Sequence, residues 1–457
     1  MRIKDSHMLV IFAIFLIIIS VFTTKISFQD SPEYISVAKN FAGIKNINVF
    51  IGHSVLYPFV ISLFLRIWQS QIMINLVNSL SIFLVGAILL LGVKNRTAFI
   101  IYAFSPLTWQ VSVNTTPVLP SALMFFISFI FYNKKEIKHH LIYSGIFFGL
   151  SFAFYTPMLL IFLIFSLVYF WNSALYSLIK YFIAFFIGVL PRFILEYIVF
   201  KNPLYSFIRY AGSNFIITLG LNPIAGNLQF INQLYVFWIV IIISPLLFMA
   251  YKLDFKKYKK IIIFLILASF ILFTRAALTL YFFIISPMII LLLAKVFTKR
   301  EVKWHCILSI PLIILLTFSY YTTNSDFLIK EDLKKINQDF KTDYILGGPF
   351  ESLAFAAVWW ENKPYFIWHE DFYASLNNET VYRGYSFDIT SQKMKLKDVL
   401  EINALFKRYE NITYENYILV TQKTPEEFEE LNNFQLKKCY KILCAYEPAH
   451  LQNIELN

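Results

Sequence analysis

The chain is 457 residues long, 58% hydrophobic and 19% aromatic, with a mean hydropathy of +0.62 and a formal charge of +12. That apolar load exceeds what a soluble globular chain can bury. The charge does not mark a nucleic-acid binder: residues 1–322 hold 25 Lys and Arg against 7 Asp and Glu, whereas residues 323–457 hold 15 against 21. The basic excess therefore sits in short loops between apolar runs, where the positive-inside rule places it.

Met8–Phe22 is the first apolar run, after a head carrying Arg2 and Lys4. No small-residue cleavage site follows, so it reads as a membrane helix starting in the cytoplasm. Further spans are expected over Ile72–Val93, Ala98–Val113, Pro117–Tyr132, Leu141–Tyr155, Thr156–Trp171, Leu178–Phe200, Leu234–Tyr251, Ile261–Phe273, Ala276–Ala294 and Trp304–Tyr321. Leu141–Trp171 is alternatively one long tilted helix. With eleven spans, the basic clusters Lys94/Arg96, Lys134/Lys135/Lys138, Lys252–Lys260 and Lys295–Lys303 all face the cytoplasm. Val55–Trp68 is apolar but only 14 residues long, and counting it as a crossing would move the first two clusters outside. It reads as an interfacial or re-entrant helix within a first external loop, residues 23–70.

After Tyr321 the chemistry changes. Tyr344–Leu346, Tyr365–Trp368, Tyr417–Thr421 and Leu436–Leu443 have strand patterns. Glu331–Phe340, Leu396–Tyr409 and Pro425–Asn433 have helix patterns. Residues 323–457 are thus expected to form a soluble α/β domain on the outer side. There Cys439 and Cys444 could pair in an oxidising compartment, while Cys306 lies in an apolar run.

Acids are scarce in residues 1–322, so each is informative. Asp5, Glu136, Asp254 and Glu301 fall among the basic loops as charge partners. Glu196 lies one turn from Arg192, the spacing of an intramembrane ion pair. Asp30 and Glu33 remain, both in the first external loop. Ser31 suits an N-cap, Pro32 the first helical position and Gly43 the residue beyond the helix end. Tyr34, Val37 and Phe41 make an apolar stripe that lets this helix lie on the membrane surface. Asp30 then precedes a helix N-terminus, whose dipole keeps its carboxylate ionised. Such a group takes a proton from a hydroxyl or holds a divalent cation; the alternative is an ordinary loop cap.

The acid after the first span, Tyr34, Ala38 and the run Leu56-Tyr57-Pro58 resemble the first external loop of GT-C glycosyltransferases, in particular the protein O-mannosyltransferase and aminoarabinose transferase branch. Ser105-Pro106, Asn114–Pro117, Lys201-Asn202-Pro203-Leu204 and Arg275 followed by Pro287 are consistent with it. The resemblance implies an inverting enzyme that moves a sugar from a polyprenyl-phosphate-linked donor to an acceptor outside the cytosol. It makes Asp30 the general base or cation ligand, gives Arg275 the donor phosphate, and places His53 near that phosphate. Lys201 and Arg209 are further phosphate candidates, with Tyr34, Tyr57 and Glu196 in support. Where many relatives have an acid in the second external loop, this chain has Asn114-Thr115-Thr116. A second carboxylate would have to be Glu33 or Glu196, which weakens the case for a magnesium or manganese ion. Trp359-Trp360-Glu361 is a faint match to the tryptophan pair of oligosaccharyltransferases and lacks the residues that follow it there. The expected partners are membrane lipid, the lipid-linked donor and an acceptor that is a protein, a lipid or a polysaccharide. The competing reading is a transporter or flippase for a lipid-linked sugar.

Overall fold

The structure is a computed structural model. It describes residues 4–22, 31–44, 53–112, 114–171, 174–207, 252–253, 255–274, 279–322, 325–340, 344–347, 365–368, 380–382, 385–387, 417–422, 434–441 and 443–448. The expected span Leu234–Tyr251, the helices Leu396–Tyr409 and Pro425–Asn433, and Trp359–Glu361 lie outside them.

Apolar runs without breakers form helices here because, in a lipid environment, a backbone must satisfy its own hydrogen bonds. Helix α1 covers Asp5–Phe22, α2 Ser31–Phe41 and α3 Leu56–Ile67. Helix α4 covers Gln71–Ala87 and continues as a π-helical turn, Ile88–Gly92. Helices α5 (Arg96–Ala103) and α6 (Pro106–Ser112) divide one apolar run at Pro106, which cannot donate to the helix ladder. The Trp109 indole donates to Ala103 O across this break (2.7 Å). Helices α7 (Val118–Asn133), α8 (His140–Phe154), α9 (Met158–Phe170) and α10 (Leu175–Phe200) follow. Leu141–Trp171 is therefore two helices, broken at Tyr155-Thr156-Pro157. Then come α11 (Phe255–Thr274), α12 (Thr279–Phe282), α13 (Ser286–Val296), α14 (Lys299–Thr322) and α15 (Ser325–Asp339). Among the described residues two helices, Ile72–Gly92 and Leu175–Phe200, are by themselves long and apolar enough to cross a membrane.

The surface is apolar on the outside of the bundle. Helix α10 buries Tyr181, Phe185, Gly188, Arg192 and Glu196 while Ile179, Ile183, Phe186, Leu190, Ile194 and Ile198 are exposed. Helices α1 and α14 likewise expose Ile11, Phe15 and Ile18, and Leu308, Leu312 and Leu315. A row of large aliphatic residues facing outward on several helices suits lipid and not water.

Small residues allow the closest helix crossing. Gly145 and Gly149 of α8 meet Ala184 and Gly188 of α10, and a Cβ built at Gly149 would lie 2.8 Å from the Gly188 Cα and against the Phe185 carbonyl. Paired serines link neighbouring helices: Ser121 with Ser151 (2.9 Å), Ser128 with Ser144 (3.1 Å) and Ser20 with Ser79 (2.6 Å). Interfaces of this kind replace the hydrophobic effect, which does not operate between helices in lipid.

The basic clusters meet one another at one end of the bundle. Asp5 pairs with Arg96 at 2.5 Å, Lys134 donates to Gly92 O at 3.2 Å, and Lys260 donates to Tyr169 O at 3.1 Å. Glu301 pairs with Lys252 at 2.7 Å, and that bond, with those from Thr298, pulls its carboxyl down to about 2. At the opposite end lie α2, α3 and the terminal domain, as one continuous apolar cluster: Tyr34, Ile35, Ala38, Leu56, Tyr57 and Ile61 with Ile336, Ile418, Val420 and Leu443.

Helix α2 differs from its expected role. Val37 and Ala38 are buried, with Val37 packed against Val55 and flanked by Leu195 and Phe200. The stripe thus seals α2 against protein instead of lying on lipid. Gly43, at φ 74°, ends α2 in a Schellman turn, with Gly43 N donating to Asn40 O and Ile44 N to Lys39 O (each 3.0 Å).

The terminal part contains a five-stranded sheet of order β2-β1-β5-β7-β6. The strands are β1 (Tyr344–Gly347), β2 (Tyr365–Trp368), β5 (Tyr417–Gln422), β6 (Phe434–Cys439) and β7 (Leu443–Pro448). A separate pair, β3 (Thr380–Tyr382) and β4 (Tyr385–Phe387), was not anticipated. Strand β1 runs parallel to β2 and β5, while β7 is antiparallel to β5 and β6. The expected single strand Leu436–Leu443 is a hairpin corner, closed by a Cys439–Cys444 disulfide. Helix α15 docks on it through Asp339 with Lys438 (2.5 Å) and Tyr440 (2.7 Å), Glu331 with Lys441 (3.2 Å), and Asp332, which accepts from Leu443 N (3.1 Å). The Lys438 bond, then the Tyr440 bond, holds the Asp339 carboxyl below its ordinary range.

These contacts make a side-of-membrane test straightforward. In a Cys306→Ala background, thiols at Leu436→Cys (β6) and Lys257→Cys (α11), both exposed positions, should behave oppositely. A membrane-impermeant maleimide is expected to label the first on intact cells and the second only after permeabilisation. The reverse pattern would invert the orientation expected from the basic loops.

Candidate functional site

The end of the bundle away from the basic clusters collects polar side chains from segments far apart in sequence. Tyr34, on the first turns of α2, is buried, and its ring meets His53 at 5.5 Å and Tyr57 at 5.4 Å, both edge-on. Tyr57 opens α3, and its hydroxyl donates to Asn78 Oδ1 of α4 at 2.7 Å. Asn78 Nδ2 in turn donates to Asn114 O at 2.9 Å. The turn Asn114–Thr116 is thereby fixed beside the start of α3, with Thr115 and Thr116 buried. Buried tyrosine and asparagine side chains survive in such a setting because each finds a partner; an unpaired one costs about 1–3 kcal/mol.

His53 is placed by its neighbour. Ser54 Oγ donates to Ala153 O at 2.5 Å, in the last turn of α8, and accepts from Leu56 N at 3.2 Å. The end of α3 is tied back as well, since Arg66 donates to Phe41 O at 2.8 Å.

A third segment arrives from α10. Lys201 caps that helix in the left-handed region, at φ 58°. Leu204 N donates to Asn202 Oδ1 (3.0 Å) in an Asx turn, and Tyr205 stacks on Phe200 with centroids 3.9 Å apart. The chain so reversed brings Ser206 to the buried pair Arg192–Glu196, whose Nε to Oε1 distance is 2.7 Å. Glu196 accepts from Ser206 N through its other oxygen (3.1 Å) and from Ser206 Oγ. Both carboxylate oxygens are thus engaged.

Of the residues singled out from the sequence, Tyr34, His53 and Tyr57 come together, Glu196 closes the α10 network, and Lys201 is exposed at the α10 end. Asp30, Arg209 and Arg275 lie outside the described residues, and the Glu33 side chain is not described. Sequence reading missed Asn78. A polar residue at that position of an apolar span was the available signal, and one face of α4, with Asn75 and Asn78, carries it. No group of three or more His, Cys, Asp or Glu side chains gathers among the described residues in a way that would hold a metal ion. Asn114 O is bonded to Asn78 Nδ2, and the turn Asn114-Thr115-Thr116 carries no carboxylate.

No family model matches the sequence, and no curated protein matches it. Solved structures do. The fold is similar to that of ArnT from Cupriavidus metallidurans in its complex with undecaprenyl phosphate, with a TM-score of 0.59 at 10% identity, over 96% of this chain and 97% of that one. It is also similar to the Archaeoglobus fulgidus oligosaccharyltransferase in its apo form, with a TM-score of 0.50 at 10% identity, over 91% of this chain and 69% of that one. Both neighbours are GT-C superfamily proteins, and at this identity the likeness is one of fold.

Proposed function

We propose that this chain, which has the fold of GT-C membrane glycosyltransferases, moves a sugar from a polyprenyl-phosphate-linked donor to an acceptor at the outer face of the membrane. The observation that carries the reading is the convergence of Tyr34, His53, Tyr57 and the Asn114–Thr116 turn at one end of a lipid-facing bundle. Undecaprenyl phosphate, bound by the ArnT neighbour, supports a polyprenyl lipid as donor carrier.

In this reading residues 1–322 form the membrane catalytic part and residues 323–457 an extracytoplasmic domain. The disulfide in the β6–β7 hairpin fits an oxidising compartment. Asp30 immediately precedes α2 in sequence, within one turn of Tyr34. As general base it takes the proton of the acceptor hydroxyl or amine while the acceptor attacks the anomeric carbon from the face opposite the phosphate. The C–O bond to phosphate breaks, and the configuration inverts. Glu33 is the second carboxylate within reach in sequence. The polyprenyl phosphate leaves with the negative charge, so stabilising that charge is the main catalytic task. Arg275 answers it with paired donors, Lys201 and Arg209 add positive charge around it, and His53 adds a ring N–H donor. No step is routed through a metal ion.

The test follows a polyprenyl-phosphate sugar labelled in the sugar, with protein reconstituted in vesicles. Appearance of free polyprenyl phosphate together with labelled acceptor is the expected result. Movement of intact donor across the bilayer without cleavage would replace this reading with that of a flippase.

A further inference from the structure

Arg192 does more than neutralise Glu196. Glu196 lies about one turn and Arg192 about two turns inside the C-terminal end of α10, and both side chains are completely buried. An ion pair there is costly, and an apolar pair of similar volume would hold the helix equally well. While Nε serves Glu196, the two terminal nitrogens of the arginine reach outside its own helix. Nη1 donates to Phe152 O of α8 at 3.3 Å, and Nη2 donates to Ser206 Oγ at 2.7 Å. Its guanidinium also lies over the Phe152 ring at 5.1 Å. The next carbonyl along α8, Ala153 O, receives Ser54 Oγ, the residue beside His53. Two adjacent carbonyls at the end of α8 thus anchor two external segments: one carries His53, and the other begins at Lys201 and ends at Ser206.

We propose that Arg192 is a positioning residue that, through Glu196 and Ser206, holds the Lys201–Ser206 segment in fixed register with the His53 segment. Lys201 and His53 are then presented to the donor phosphate from one frame. This rests on the reading of a polyprenyl-phosphate donor. Arginine is required for geometric reasons: a lysine ammonium, a point charge on a flexible stem, cannot reach a carboxylate, a hydroxyl and a carbonyl of another helix at once. The same network accounts for the placement of Ser206, whose amide and hydroxyl both bond Glu196.

The experiment uses full-length protein in lipid nanodiscs and two variants, Ser206→Ala and the double Arg192→Met/Glu196→Met. Three quantities are read: the unfolding temperature, the Kd for undecaprenyl phosphate, and the distance distribution between spin labels at Leu204→Cys and Ile67→Cys with Cys306 replaced by Ala. The labelled positions are both exposed. The expected result is unfolding close to that of the parent, a broadened distance distribution, and a Kd raised about tenfold, since loss of positioning is felt directly in ligand contacts. Unchanged distances in both variants would overturn the inference. Should the double variant fail to fold, Ser206→Ala, which leaves the ion pair in place, decides the matter alone. Broadened distances with an unchanged Kd support the positioning role and count against the donor-phosphate reading, so the two failures are distinguishable.

Discussion

Asp30→Asn is expected to lower the rate of sugar transfer by about 10²–10⁴-fold, the usual contribution of a positioned general base. Membrane insertion and unfolding temperature should stay at their wild-type values. The substitution keeps the size of the side chain and its capacity to accept a hydrogen bond, so it removes the charge and the proton-accepting function and little else. Asp30 is next to Ser31, the first residue of α2, whose N-terminal dipole favours the ionised form. That end of α2 is the one from which Tyr34 enters the cluster with His53 and Tyr57. Asp30→Glu should recover part of the activity, because it restores the charge at a different reach. Transfer at the full rate by Asp30→Asn would remove the aspartate from the mechanism and leave Glu33 as the remaining acid of the first loop.

The second large effect concerns stability. Gly149→Ala is expected to destabilise the protein by about 3 kcal/mol or more, the upper part of the range for overpacking. The added methyl would face backbone, not yielding side-chain tips: the Phe185 carbonyl and, at 2.8 Å, the Gly188 Cα. Relief requires that α8 and α10 move apart. That movement would also strain the serine pairs from α7 to α8 and the Arg192 bond to Phe152 O. Gly92→Ala is the control. A Cβ there meets nothing closer than the Ile88 Cγ2 at 3.6 Å, so it should be neutral. Unfolding in mixed detergent micelles measures both. Coincident transitions for Gly149→Ala and the parent would show that the helices do not cross as closely as the geometry requires.

Hydropathy was enough to find most of the described helices, because in lipid the apolar stretch and the helix are nearly the same object. Leu141–Trp171 stayed open between two spans and one until the break at Tyr155-Thr156-Pro157 decided it, while the end of α2 was legible through Gly43. The orientation of α2 was not. Tyr34, Val37 and Phe41 form the same stripe whether they cover lipid or protein, and only the position of Val55 and Tyr57 decides between them. The turn within Leu436–Leu443 was hidden because Tyr440-Lys441-Ile442 has no glycine, proline or asparagine to announce it; the disulfide and the Tyr440 N bond to Leu443 O (2.7 Å) close it instead. In the candidate site, Tyr34, His53 and Tyr57 could be found through the first-loop pattern. Asn78 was signalled only as a polar residue in an apolar span, and Ser206 not at all, since its role comes from a chain reversal that brings it to Glu196. The pairing of Arg192 with Glu196 was legible from spacing alone, but its bonds to Phe152 O and Ser206 were not.

The apolar cluster shared by α2, α3, α15 and the sheet limits how this chain can be taken apart. Ile336, Ile418, Val420 and Leu443 are continuous with Tyr34, Leu56 and Ile61. A chain cut after Thr322 would leave that half of the cluster open to water directly above the candidate site. Loss of activity in such a truncation would therefore report a collapsed first loop and would carry no information on acceptor recognition by the severed part. The described part of the last third shares that apolar cluster with α2 and α3, and it is best interrogated by point changes in its exposed strands.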